Sequence, residues 1–155
     1  MKNEKRCIKV QELEGDDCSS WDWTGLTRIL VYGALRRGGS NHSMMVNGGA
    51  VFEYLMTITG YKLFRLEGAQ YPVVIKSGNS HDKIQVESYL VDGALLGDLL
   101  AMELYVGYKM VAAGEPYSYM FVYDKEFDQQ RSEYIPDGDW ISYTVFERIN
   151  SEVKR

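Results

Sequence analysis

Over residues 50–59, Phe52, Tyr54, Met56 and Ile58 alternate with Glu53, Leu55 and Thr57. A period of two sorts side chains onto the two faces of an extended chain, whereas a helix would scatter them around its circumference. The segment therefore predicts a strand with one strongly apolar face, and such a strand needs neighbours to bury it. Candidate neighbours lie on both sides. Arg28-Ile29-Leu30-Val31-Tyr32 is a β-branched and aromatic run stopped by Gly33, the pattern of a buried strand running into a loop. Further strand candidates cover residues 61–66, 71–75, 84–91, 108–112 and 117–123, separated by Gly, Asn, Asp and Pro.

One segment breaks this β pattern. Residues 94–103 are rich in helix formers and follow Asp92, a suitable N-cap. Leu95, Leu99 and Met102 fall at steps of four and three, so they share a face toward the core. Glu103 is expected at or just past the helix end, where the negative end of the dipole tends to raise a carboxyl pKa. Near the C-terminus, Asp137-Gly138-Asp139-Trp140 reads as a turn into a short amphipathic segment, 141–150, that fits either helix or strand.

With 155 residues, 45% of them hydrophobic, the chain suits one compact domain over 26–155 behind a polar arm, 1–25. The arm carries Cys7 and Cys18, whose spacing matches no metal motif, and two large anchors, Trp21 and Trp23. A net charge of −5, with only Arg36-Arg37 as a basic cluster, lacks the footprint of a nucleic-acid binder. The charged start and the absence of any run near 20 apolar residues argue against a signal peptide or membrane span, so a cytoplasmic address is expected. His42 and His81 stand apart from any Cys, Asp or Glu cluster, and there is no Ser-His-Asp signature, Walker A loop or dinucleotide fingerprint. Neither metal nor cofactor is expected.

Three features carry chemical interest. The loop Tyr32-Gly33-Ala34-Leu35 leaves backbone amides free to face a ligand, although a glycine loop taken alone more often marks a tight turn, which Gly33 would allow by taking positive φ. Glu103 is a carboxylate at a helix end, a place also common for solvated charges. Tyr71, Tyr105 and Tyr108 sit at strand ends, where aromatic rings supply packing as well as contacts to ligands.

The stretch Ile29-Leu30-Val31-Tyr32-Gly33-Ala34-Leu35-Arg36-Arg37-Gly38, with Asn41-His42 after it, resembles the opening motif of the gamma-glutamylcyclotransferase-like superfamily. That motif is commonly V-Y-G-[ST]-L-[RK]-R-G followed by N-H, in the form closest to the gamma-glutamylamine cyclotransferase branch. Gly60-Tyr61-Lys62-Leu63, Tyr71-Pro72-Val73-Val74-Ile75 and Val86-Glu87-Ser88-Tyr89-Leu90-Val91-Asp92 resemble later family segments in the same order. Leu99-Leu100-Ala101-Met102-Glu103-Leu104-Tyr105 is similar to the helix end whose glutamate is catalytic in the family. Tyr108, residues 119–123 and Gly138-Asp139-Trp140 match further elements, so the resemblance covers about residues 28–143. The sequence departs from the pattern at Ala34 (usually Ser or Thr), Val86 (Gly), Leu100 (Asp) and Leu104 (often Gly).

The resemblance implies an α+β fold, mostly β: a small mixed β-barrel with one main helix and short flanking helices. It implies a small-molecule γ-glutamyl substrate whose α-amine attacks its own γ-carbonyl, releasing an amine and 5-oxoproline. Glu103 would be the general acid/base. Backbone N–H groups of Gly33, Ala34 and Leu35 would hold the substrate carboxylate or the oxyanion, Tyr32, Tyr71 and Tyr108 would border the pocket, and Arg36 would offset the substrate carboxylate. The same fold also suits cyclotransferases of other specificity, such as for γ-glutamyl dipeptides, and non-catalytic modules that bind a small ligand or a protein. The changes at 34, 86, 100 and 104 point toward a binding module, whereas the retained Glu103 points toward catalysis.

Overall fold

The computed structural model describes residues 25–68, 71–114 and 117–153. The arm with Cys7, Cys18, Trp21 and Trp23 lies outside the described residues. Every expected strand forms, to within about a residue at each end: β1 Thr27–Val31, β2 Val51–Thr59, β3 Tyr61–Arg65, β4 Pro72–Lys76, β5 Lys83–Val91, β6 Tyr108–Ala112 and β7 Ser118–Tyr123. A short β8, Glu133–Ile135, follows a single 3-10 turn at Gln129–Arg131. The helices are α1 His42–Asn47, α2 Gly93–Val106 and α3 Trp140–Val153.

The strands make two sheets, of order β2-β5-β1-β7-β6 and β4-β3-β8. The fold is thus α+β and mostly strand, as expected, but as two sheets rather than a closed barrel. β1 lies in the middle of the larger sheet, antiparallel to β5 and parallel to β7. Its alternate side chains serve two cores. Ile29 and Val31 join Tyr89, Leu95 and Leu99 beneath α2, while Leu30 joins Leu63, Ile84 and Trp140 on the opposite face. A strand buried on both faces must be apolar throughout, which explains the unbroken run Ile29-Leu30-Val31. Fully burying each such side chain stabilises the fold by about 1.5–3 kcal/mol.

β2 departs from its simple alternation. A bulge between Phe52 and Tyr54 lets Phe52 pair with Tyr89 while Tyr54 pairs with Ser88, so these two aromatics face opposite sides. β2 is also an edge strand, which leaves Phe52, Tyr54 and Leu55 exposed and only Ile58 buried.

α2 starts where expected, the Asp92 carboxylate accepting from the Leu95 N–H at 2.9 Å. It continues to Val106 and ends on Gly107, whose φ of 118° is left-handed. Glu103 therefore sits in the last turn rather than at or past the end. The segment after Trp140 is helical, and α3 is as long as α2, 14 residues each, so the flanking helices are not all short. Trp140 is its one buried residue; Phe146, Ile149 and Val153 stay in solvent. No helix among the described residues is long and apolar enough to cross a membrane.

Candidate active site

β1 delivers the chain into a loop, 32–41, that folds back on itself. The Gly33 carbonyl accepts from the Arg36 N–H at 3.0 Å, the Ala34 carbonyl from the Asn41 N–H at 2.9 Å, and the Leu35 carbonyl meets the His42 Nδ1 at 2.9 Å. The carbonyls at 33, 34 and 35 thus face into the loop. The matching N–H groups of Gly33, Ala34 and Leu35 have no acceptor among the described residues. Gly33 is not at positive φ, contrary to the tight-turn expectation. It is glycine because β4 passes close by: a Cβ there would lie 2.5 Å from Pro72 Cγ.

Arg36 fastens this loop and does not reach the ligand space. Its guanidinium is buried, with Nε 3.1 Å from Glu87 Oε2 and Nη1 3.0 Å from Asp139 Oδ1. Glu87 also accepts from the Arg37 N–H at 2.9 Å and the Tyr89 hydroxyl at 2.8 Å. A buried cation must be paired, and these two carboxylates supply the pairing, so the expected contact of Arg36 with a substrate carboxylate is replaced by a structural one.

Beside the loop is a cavity of about 330 Å³. Tyr32, Gly33, Ala34 and Leu35 line it, together with Glu103 from α2, Tyr108 from β6 and Tyr71 just before β4. Of the residues that the family resemblance implies at the site, only Arg36 is missing from the lining. Leu30, Val31 and Phe121 give it an apolar floor, with Met102 and Val106 on the α2 side. Tyr71 is 41% exposed at the rim, and Tyr105, at 89%, projects into solvent away from the lining. Ser40 and Asn41 also line the cavity, although sequence reasoning did not assign them as site residues. Their signal was the end of a glycine-rich loop that must return toward its own start, with Asn41 already in the quoted motif.

Glu103 is the only charged side chain among the described lining residues. Its carboxylate is partly buried and has no hydrogen bond or ion pair among the described residues. Burial pushes its pKa up to about 7. The direction matches the expectation from the helix dipole, but desolvation is the cause. Tyr32 and Tyr108 stand near enough for the Glu103 charge to act on both phenols. Their hydroxyls donate to the carbonyls of Phe121, at 2.7 Å, and of Pro72.

Of the four positions that depart from the family pattern, only Ala34 lines the cavity. Val86 is a fully buried core residue, Leu100 packs against the core under α2, and Leu104 is 60% exposed. Three of the four changes therefore leave the cavity wall untouched.

The chain is similar to known proteins over most of its described length. Residues 29–142 match the family model described as gamma-glutamyl cyclotransferase, AIG2-like. A Vibrio cholerae protein described as "Putative gamma-glutamylcyclotransferase" is 30% identical over 113 residues, covering 72% of this chain and 93% of its own. An uncharacterised Pyrococcus horikoshii protein of known structure superposes with a TM-score of 0.64 at 25% identity, covering 79% of this chain and 96% of its own. The mouse AIG2-like protein shares the fold, with a TM-score of 0.61 at 22% identity over 74% of this chain and 88% of its own. The matched span runs from the central strand through the cavity loop and Glu103 to the start of α3, and the chain belongs to the AIG2-like gamma-glutamyl cyclotransferase family.

Proposed function

We propose that the protein is a γ-glutamylamine cyclotransferase that releases an amine and 5-oxoproline, with Glu103 as general acid/base. The observation that carries this reading is that Glu103 and the unengaged amides of Gly33, Ala34 and Leu35 border one cavity. The reaction is intramolecular, so the site's main task is to hold the glutamyl chain bent, with its α-nitrogen against its γ-carbonyl.

In the first step the Glu103 carboxylate takes a proton from the α-ammonium, and the freed nitrogen attacks the γ-carbon. The new C–N bond closes a five-membered ring, and the carbonyl oxygen becomes an oxyanion that the loop amides stabilise as backbone donors. Such donors act without a side chain, so Ala34 serves as well as Ser or Thr. Glu103 then passes its proton to the departing nitrogen, the original C–N bond breaks, and the ring nitrogen gives up its surplus proton as the amine leaves as an ammonium ion. A positioned acid/base of this kind contributes about 10² to 10⁴ in rate. A pKa near 7 lets one carboxyl both take and return a proton at neutral pH.

The apolar walls around Glu103 favour a leaving group without a charge of its own, since none of the described lining residues is a cation that would neutralise a second carboxylate. This supports γ-glutamylamines over γ-glutamyl amino acids. The test is release of 5-oxoproline from a panel of both substrate kinds by the wild-type protein and by Glu103→Gln. Rapid release from the amines, lost in the variant, is expected. Ligand binding with no 5-oxoproline from any substrate would leave a binding module in its place.

A further inference from the structure

β2 differs from the other edge strands of the two sheets. β6 carries Lys109, β4 begins with Pro72 and ends with Lys76, and β8 is three residues long and begins with Glu133. Exposed charge, proline and short length are the means that keep a sheet edge from pairing with another chain. β2 is nine residues long and contains no Lys, Arg or Pro. Its single charge, Glu53, is cancelled within the protomer, accepting from Arg28 Nε and from the Ser88 hydroxyl, each at 2.7 Å. The bulge between Phe52 and Tyr54 bends only the start of the strand, and the register from Tyr54 to Thr59 is unbroken. An apolar patch accompanies this edge. Val46 of α1 and Val51, Phe52 and Leu55 of β2 all remain exposed within ten consecutive residues. Phe52 pairs with Tyr89 and Leu55 with Glu87, so both side chains lie on the sheet face that carries Tyr89, where Met45 anchors α1 in the same core cluster. Arg37 lies over the Phe52 ring, 3.9 Å from its centre, and shares its charge with Glu87.

We propose that β2 is the interface of a homodimer, in which it pairs antiparallel with β2 of a second copy about a two-fold axis and the two larger sheets continue into one another. The charge pattern selects a second copy as the occupant. About a two-fold axis a surface meets itself, so each strand lies against its own sequence. The same contact through β6 or β4 would bring Lys109 or Lys76 of both copies to one interface, and like charges across a strand pair are destabilising. Through β2 the unbroken stretch 54–59 meets its own uncharged sequence, on a chain whose net charge of −5 opposes self-association elsewhere. A charged peptide added to the same edge would find no counter-charge on the strand. The pairing would satisfy the outward N–H and C=O groups of β2 and cover Phe52, Leu55 and Val46. None of these residues lines the cavity, so the dimer stands independently of the cyclotransferase reading.

The experiment is sedimentation velocity on the whole chain from about 5 to about 200 μM, paired with amide hydrogen exchange at both ends of that range. The expected result for the wild-type protein is a monomer–dimer equilibrium, with exchange in residues 54–59 slowing as the dimer forms. Leu55→Lys places a cation of each copy at the interface and should weaken dimerisation by about tenfold or more. Ile149→Lys, on the exposed side of α3, should leave it unchanged. Circular dichroism at the lowest concentration reports whether each variant keeps its fold, and if Leu55→Lys does not, the exchange pattern of the wild-type protein decides by itself. A wild-type monomer at every concentration overturns the proposal, whatever else covers β2. So does a dimer that forms without added protection of residues 54–59, or one that a folded Leu55→Lys protein forms as tightly as the wild type.

Discussion

Arg36 and Glu87 form a buried ion pair, Nε to Oε2 at 3.1 Å, that fastens the cavity loop to the middle of β5. Asp139 holds the same guanidinium from the start of α3, so the loop that presents the free amides is tied to two distant parts of the chain. Removing one partner of such a pair leaves an uncompensated buried charge, which costs about 3–5 kcal/mol. Arg36→Met is expected to lower unfolding stability by that amount in urea titration, and 5-oxoproline release with it. A loss below about 0.5 kcal/mol would show that the pair does not hold the loop.

The pH dependence of the site follows from the position of Glu103. Its folded-state pKa, about 7, lies above the ordinary value of 4.5, so the folded protein binds the proton more tightly than the unfolded chain. Stability is therefore greatest below the unfolded value and declines as pH rises from about 4.5 through about 7. The decline is on the order of 3 kcal/mol at most. Glu103→Gln should remove it, so the wild-type and variant unfolding curves should converge at acid pH and separate above neutrality. Turnover should show the opposite trend on its acid limb, rising with an apparent pKa near 7, because the carboxylate is the base that starts the reaction. An acid limb centred near 4.5 would remove burial of Glu103 from the mechanism.

Gly33 tests the contact between the loop and β4. The Cβ of an alanine there would stand 2.5 Å from Pro72 Cγ, too close without movement of one backbone or the other. Gly33→Ala is expected to cost about 1–3 kcal/mol by overpacking, and to displace the amide that faces the cavity. Because the clash is with one ring, Gly33→Ala with Pro72→Ala should recover part of both losses. The measurement is a double-mutant cycle on stability and on kcat/KM. Additive losses would place the strain elsewhere.

Much of this arrangement was legible in the sequence because it is local. The run from Ile29 to Tyr32 and the helix ahead of Glu103 each announce themselves through periodicity within about ten residues. The resemblance then joined the loop to the glutamate, two places no local pattern connects. The features that were missed depend on contacts across the chain. Arg36 finds its partners 51 and 103 residues away, so a loop arginine that looked free for a substrate is already engaged. The bulge that separates Phe52 from Tyr54 is set by their pairing with β5, and nothing in the alternation of residues 50–59 marks it. The proton direction of Tyr32 and Tyr108 is fixed by carbonyls 89 and 36 residues distant.

The two ends of α2 provide a last comparison, in which similar stability costs should have different effects on catalysis. At the N-terminus the Asp92 carboxylate caps the Leu95 N–H, and Asp92→Ala is expected to cost about 1 kcal/mol. At the C-terminus Gly107 holds φ at 118° and donates its N–H to the Glu103 carbonyl at 3.0 Å. Gly107→Ala forces a β-carbon into a left-handed conformation at a cost of about 1–2 kcal/mol, and it does so within the turn that carries the proposed base. Ten helical residues separate the Asp92 cap from Glu103, so Asp92→Ala should leave kcat/KM within about twofold at temperatures where the protein stays folded. Gly107→Ala should lower it by about tenfold or more, because small misplacements of a catalytic group cost heavily in rate. Equal effects of the two variants on kcat/KM would mean that Glu103 acts only through the stability of its helix.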